Sequence, residues 1–122
     1  MKQISAVLCL DLGTQMGWAL SGQDGQISSG SVCLRGDRFS GGGMRFLKFR
    51  QWLDAQVKDQ PIHAVYFESV RRHIGTDAAH CYGGFLATLT AWCEQQGIPY
   101  QGVSVGAIKK RLAVKAMGVS KM

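Results

Sequence analysis

No acidic residue follows Glu94 in this 122-residue chain, while the same stretch holds Lys109, Lys110, Arg111, Lys115 and Lys121. A surface of that kind does not suit a cationic ligand; it suits a polyanion, because each Lys or Arg near a phosphate releases condensed counterions. Long apolar runs are also missing. None approaches the roughly 20 residues that a membrane-spanning helix needs. Lys2 is followed by no signal-peptide cleavage pattern, and the expectation is a cytoplasmic protein. The four cysteines (Cys9, Cys33, Cys81 and Cys93) form no CxxC and no Cys/His spacing, which argues against a zinc centre and a disulfide framework. Buried free thiols in a reducing compartment are expected instead. Repeats and low-complexity tracts are absent.

What is present is a globular balance, 46% apolar and 18% charged residues, in a length that fits one domain over 1–122. The net charge is +6, and a second basic cluster, Arg35, Arg38, Arg45, Lys48 and Arg50, is interrupted only by Asp37.

Periodicity orders the chain as βββαβαβα. Ile4–Leu12 reads as a buried strand, broken by Gly13 to Gly17. Trp18–Ser21 and Ile27–Leu34 follow as antiparallel strands around Asp24-Gly25, a hairpin signal. Met44–Asp59 is helical, with Phe46, Phe49, Leu53 and Val57 forming a stripe that Leu47 and Trp52 widen. Ile62–Glu68 is the fourth strand. A helix with Thr76 as N-cap runs to about Gln96 and stops at Gly97. Its Gly83-Gly84 implies close packing or weakness, and Ala79, Gly83, Leu86 and Ala87 suit a close contact either with the sheet or with a dimer mate, the sheet being preferred. Ile98–Val103 is a fifth strand, and Ser104 opens a last helix to about Val114. A meander followed by βα units implies a mixed sheet with helices on both faces and strand order 3-2-1-4-5. The fourth strand then lies parallel to the first, and their C-terminal ends meet where open α/β sheets hold ligands.

Asp11 and Glu68 stand at those two ends. Converging carboxylates repel, and a divalent cation relieves the repulsion; oxygen ligands select Mg²⁺ or Mn²⁺. A metal pair roughly 3.5–4 Å apart activates water and stabilises a leaving oxygen in phosphodiester hydrolysis. Gly13 lets the backbone turn away and leaves room for a phosphate. The same residues admit a structural reading, in which Asp11 caps a turn and Glu68 pairs with Arg71 or Arg72. Arg71, Arg72 and His73 flank this edge as candidate phosphate contacts. Lys109 and Lys110 are candidates on the last helix, which cannot turn Lys109, Lys110 and Arg111 all to one phosphate row. Trp18, Trp52 and Trp92 are expected in the core, and His63 off the core face of its strand.

The segment Leu10-Asp11-Leu12-Gly13-Thr14 with Gly17-Trp18-Ala19 resembles the opening of RuvC-type Holliday-junction resolvases, particularly phage-associated ones. Phe67-Glu68-Ser69-Val70-Arg71-Arg72-His73, Gly75-Thr76-Asp77-Ala78-Ala79-His80 and Tyr82-Gly83-Gly84-Phe85 are similar to that group's second segment. Val105–Leu112 with Ser120-Lys121 resembles its third. The resemblance implies an RNase H-like fold, a homodimer, Mg²⁺ (or Mn²⁺) and endonuclease cleavage of branched DNA in recombination and repair, in a bacterial or phage-infected cell. It carries Asp11 and Glu68 over as catalytic metal ligands and Lys121 as a DNA contact. The family pattern continues past Ser-Lys into a helix with two further acids, which this sequence lacks. Three accounts stay open: a C-terminal part that is missing, a relic that binds junctions without cutting, or a third ligand from Asp77 or His80. Asp-Leu-Gly-Thr also opens the nucleotide-binding halves of the actin and sugar-kinase group. That group needs a second phosphate loop and an adenosine loop, which 122 residues do not hold.

Overall fold

The computed structural model describes residues 6–22, 24–70 and 75–104. The strands are β1 (Ala6–Asp11), β2 (Gln15–Ser21), β3 (Ile27–Cys33), β4 (Ile62–Glu68) and β5 (Tyr100–Val103). The helices are α1 (Met44–Asp59) and α2 (Thr76–Gln96). The sheet order is β3-β2-β1-β4-β5. β1 and β2 pair antiparallel, as do β2 and β3, whereas β4 runs parallel to both β1 and β5. This is the mixed sheet the sequence implies. The expected helix over 104–114 lies, beyond Ser104, outside the described residues.

Alternation sorts the strands into two faces. Leu8, Leu10, Val65 and Phe67 share one core with Phe49 and Leu53 of α1 and with Phe85, Leu89, Trp92 and Cys93 of α2. Both described helices therefore pack on one face. On the other, buried Cys9 and Ala19 gather Val7, Tyr66 and Val103.

Local chemistry sets the boundaries. The β2–β3 hairpin closes at Asp24-Gly25, where Gly25 takes φ +81° and the Gln26 N–H donates to Asp24 Oδ1 at 2.9 Å. Gly97 ends α2 in the left-handed region, and the Ile98 N–H returns to the Cys93 carbonyl at 2.9 Å. β2 begins at Gln15 rather than Trp18, because Gly17 is a strand residue paired with Asp11 and Ser31. Thr76 is the first helical residue, not the cap; Gly75 stands in the cap position and no side chain caps it.

The helix contact rests on Gly84, not on the expected row. A Cβ at Gly84 would fall 2.3 Å from Phe46 Cζ, whereas one at Gly83 would meet nothing within 4 Å. Gly83 and Ala87 are exposed, since α2 buries the side that carries Phe85, Leu89 and Trp92. Phe46 and Phe49 meet Phe85 edge-on at 4.9 and 5.5 Å, and Trp92 Nε1–H donates to Asp54 Oδ1 at 2.8 Å. Leu47 does not widen the buried stripe of α1; it is exposed.

Trp92 is buried, and Trp18 and Trp52 pack against the core 6.0 Å apart. His63 is exposed. No disulfide joins the four cysteines, but Cys33 is exposed on β3 and Cys81 only half-buried. No helix among the described residues is long and apolar enough to cross a membrane.

Candidate functional site

Parallel pairing of β1 with β4 carries the two sequence-predicted carboxylates to neighbouring places. Leu10 is the register partner of Phe67, and Asp11 and Glu68 are the next residues on the two strands. Adjacent strands lie about 4.8 Å apart, so the two positions are neighbours across the ladder. Leu10 and Phe67 face the helix core, and alternation turns Asp11 and Glu68 to the opposite face.

Asp11 is exposed and Glu68 half-buried. Asp11 sits opposite Gly17 on β2, where a Cβ would stand 3.7 Å from the Asp11 Cβ. That is ordinary van der Waals contact, so a methyl group would fit there beside the Asp11 side chain. Gly13 takes no positive φ, and a Cβ there would come no closer than 3.8 Å to the Gln15 carbonyl. The turn itself therefore does not require glycine at that position.

Two sets of contacts that sequence reasoning missed hold this rim. The Tyr82 hydroxyl of α2 donates to the Glu68 carbonyl at 2.8 Å and accepts the Val70 N–H at 3.3 Å. One side chain thus ties down the backbone on both sides of the β4 terminus. On the other flank, Arg45 of α1 reaches across to the β1–β2 turn. Its Nη1 lies 3.4 Å from Thr14 Oγ1 and 3.3 Å from Cys81 Sγ, and Thr14 and Cys81 are themselves 3.7 Å apart. A guanidinium from one helix and a thiol from the other so brace the turn that follows Asp11. Only the pairing of distant segments creates these contacts; the aromatic at 82 and the base at 45 carry no local signal of them.

The remaining candidates divide by position. Asp77 and His80 are exposed on the first turns of α2. Among the described residues no three His, Cys, Asp or Glu side chains gather closely enough to hold a metal, so neither joins Asp11 and Glu68 as a third ligand. Burial pushes the Cys93 thiol up to about 11, with Glu94 adding to the shift, and it stays neutral and unreactive at neutral pH. Arg71, Arg72, His73, Lys109, Lys110 and Lys121 lie outside the described residues.

The donor set fits one hard cation held by two carboxylates, with water and substrate oxygens filling its other positions, the usual arrangement for Mg²⁺. The described residues do not furnish ligands for a second ion.

Comparison with solved structures decides the fold. The chain superposes on T. thermophilus RuvC in complex with a Holliday junction substrate with a TM-score of 0.71 over 92% of its length, at 15% identity. The fold is RNase H-like, of the RuvC type. A second Thermus thermophilus RuvC structure matches over 81% of the chain with a TM-score of 0.61 and 14% identity. The yeast mitochondrial Holliday junction resolvase Ydc2 matches over 99% with a TM-score of 0.56 and 13% identity. The chain spans 72% of the junction-bound RuvC, 63% of the second RuvC and 59% of Ydc2, less than two thirds of the latter two. The sequence matches no family model and no curated protein.

Proposed function

We propose that the chain is a metal-dependent, structure-selective endodeoxyribonuclease that hydrolyses phosphodiesters of branched DNA, with Asp11 and Glu68 as its catalytic carboxylates. The observation that carries this reading is the side-by-side placement of Asp11 and Glu68 at the C-terminal ends of parallel β1 and β4, on a RuvC-type sheet. One structural neighbour is a complex with a Holliday junction substrate and another is a Holliday junction resolvase, which supports branched DNA as the ligand class.

Asp11 and Glu68 would hold Mg²⁺ or Mn²⁺ between them. The bound cation supplies Lewis-acid stabilisation of the phosphodiester and activation of a water. Tyr82 fixes the main chain that presents Glu68. Arg71, Arg72, His73, Lys109, Lys110 and Lys121 are proposed to take the flanking phosphates, and the active species is proposed to be a homodimer.

One observation favours a second reading. Among the described residues no third ligand completes the site. Two carboxylates hold a cation loosely, and a protein so equipped could bind junctions without cutting them.

The test is incubation of the chain with a labelled four-way junction, with and without Mg²⁺, beside Asp11→Asn. Salt-dependent binding with Mg²⁺-dependent cleavage that Asp11→Asn abolishes is the expected result. Binding without cleavage selects the second reading. Cleavage that survives Asp11→Asn would mean the carboxylates are misassigned.

A further inference from the structure

Phe39 stands apart from every other large apolar side chain among the described residues. It is 84% exposed, against 48% for Leu47, the next in order. Single exposed apolar residues are ordinary and need no function. Three features separate this one from that background.

The first is that the backbone carrying the ring is held. Asp37 Oδ1 accepts the Phe39 N–H at 2.9 Å and the Ser40 hydroxyl at 2.8 Å, and the Ser40 N–H donates to the Asp37 carbonyl at 3.1 Å. The hydroxyl bond of Ser40, then the Phe39 N–H, keeps the Asp37 carboxyl below its ordinary value, so the clamp is anionic at neutral pH. Lys48 Nζ donates to the Arg35 carbonyl at 2.8 Å and ties the start of the same loop to α1. Second, the Arg38 guanidinium lies 5.0 Å from the Phe39 ring centroid, a cation backing an aromatic. Third, Arg35 and Arg38 lie in the loop and Arg45, Lys48 and Arg50 follow it on α1, and the one acid among them, Asp37, spends its carboxylate on the clamp.

The loop also rises from the correct edge. Cys33 pairs with Gln15, and the Leu34 N–H donates to the Thr14 carbonyl at 2.7 Å. Thr14 belongs to the turn that follows Asp11. The loop between β3 and α1 therefore leaves the sheet at the end that carries Asp11.

An exposed aromatic on a pinned backbone, set among cations, is the composition of a nucleic-acid stacking platform. Cations track the phosphates, and the ring accepts a base because every base has a π-face. An apolar protein pocket would take the ring alone and gain nothing from the surrounding charge. We propose that Phe39 stacks on an unpaired or splayed DNA base beside the Asp11 edge, with Arg35 and Arg38 meeting the adjoining phosphates. This rests on the DNA-directed reading above and adds to it a base-contacting residue that favours branched over fully paired DNA.

The experiment compares affinities for a four-way junction, a single-stranded oligonucleotide and a fully paired duplex across a salt series. The proteins are the intact chain, Phe39→Ala, Phe39→Leu, Phe39→Trp and Arg38→Gln. A side chain this exposed leaves the core intact, and thermal melts confirm that each variant folds. Phe39→Ala is expected to weaken junction and single-strand binding about tenfold, leaving duplex binding and the salt slope unchanged. Phe39→Trp restores the affinity and Phe39→Leu does not, since leucine keeps apolar bulk without a π-face. Arg38→Gln lowers the slope of log affinity against log salt by about one. Equal binding by wild type and Phe39→Ala, full rescue by Phe39→Leu, or a change in oligomeric state in place of DNA affinity would each overturn the stacking assignment. Wild-type binding with an indifferent Phe39→Ala removes this contact alone, whereas a wild-type chain that binds no DNA removes the nuclease reading with it.

Discussion

Tyr82 belongs to α2, yet its hydroxyl serves β4. By donating to the Glu68 carbonyl and accepting the Val70 N–H, it makes the end of β4 a fixed point and not a fraying terminus. Loss of that hydroxyl leaves two backbone groups to find water, at a cost of about 1 kcal/mol in stability. Under the proposed function the effect on chemistry is larger, because a small misplacement of a carboxylate that holds a metal is amplified in rate. Tyr82→Phe is therefore expected to lower cleavage of a junction about tenfold or more while leaving junction affinity near wild type, as read by single-turnover kinetics beside equilibrium binding. A parallel fall in affinity and rate would instead assign Tyr82 to the DNA surface.

Among the elements, α1 and α2 meet where Gly84 admits the Phe46 ring. A methyl group there would sit 2.3 Å from Phe46 Cζ, and Phe46 is itself held edge-on against Phe85. Alanine gains about 1 kcal/mol in helix propensity over glycine, but overpacking a fitted contact costs about 1–3 kcal/mol. Gly84→Ala is expected to destabilise the fold by about 1 kcal/mol net, and Gly83→Ala, facing open space, to stabilise it. Urea unfolding midpoints for the two variants check this, and a stabilised Gly84→Ala would show that the helices do not close on that glycine. The glycine pair was visible in the sequence, but not which member faces the partner helix. That depends on the rotation of α2 about its axis, which long-range burial of Phe85, Leu89 and Trp92 sets. The strands were more legible. Their alternation and the Asp24-Gly25 turn act locally, so order and pairing could be read without tertiary information. The start of β2 was misread because Gly17 behaves as a breaker in isolation and as a strand residue once Asp11 lies opposite.

At the scale of the whole molecule, the sheet unites an exposed carboxylate, a half-buried one and a basic, aromatic-tipped loop at one edge. The pairing of Asp11 with Glu68 was legible because each closes an apolar run, and parallel winding brings such ends together. The supports of the site were not: Arg45, Cys81 and Tyr82 act through contacts between elements far apart in sequence. Nor could the sequence locate a third ligand, since the first turns of α2 leave Asp77 and His80 exposed and outside any metal-holding group among the described residues. The central claim is that Asp11 and Glu68 share one cation. Mn²⁺ binding followed by electron paramagnetic resonance in wild type, Asp11→Asn, Glu68→Gln and the double variant tests it directly. A shared ion predicts that either single change removes most of the affinity and that the double change costs little more, a strongly non-additive cycle. Wild-type Mn²⁺ affinity in either single variant, or losses that simply add, would contradict it.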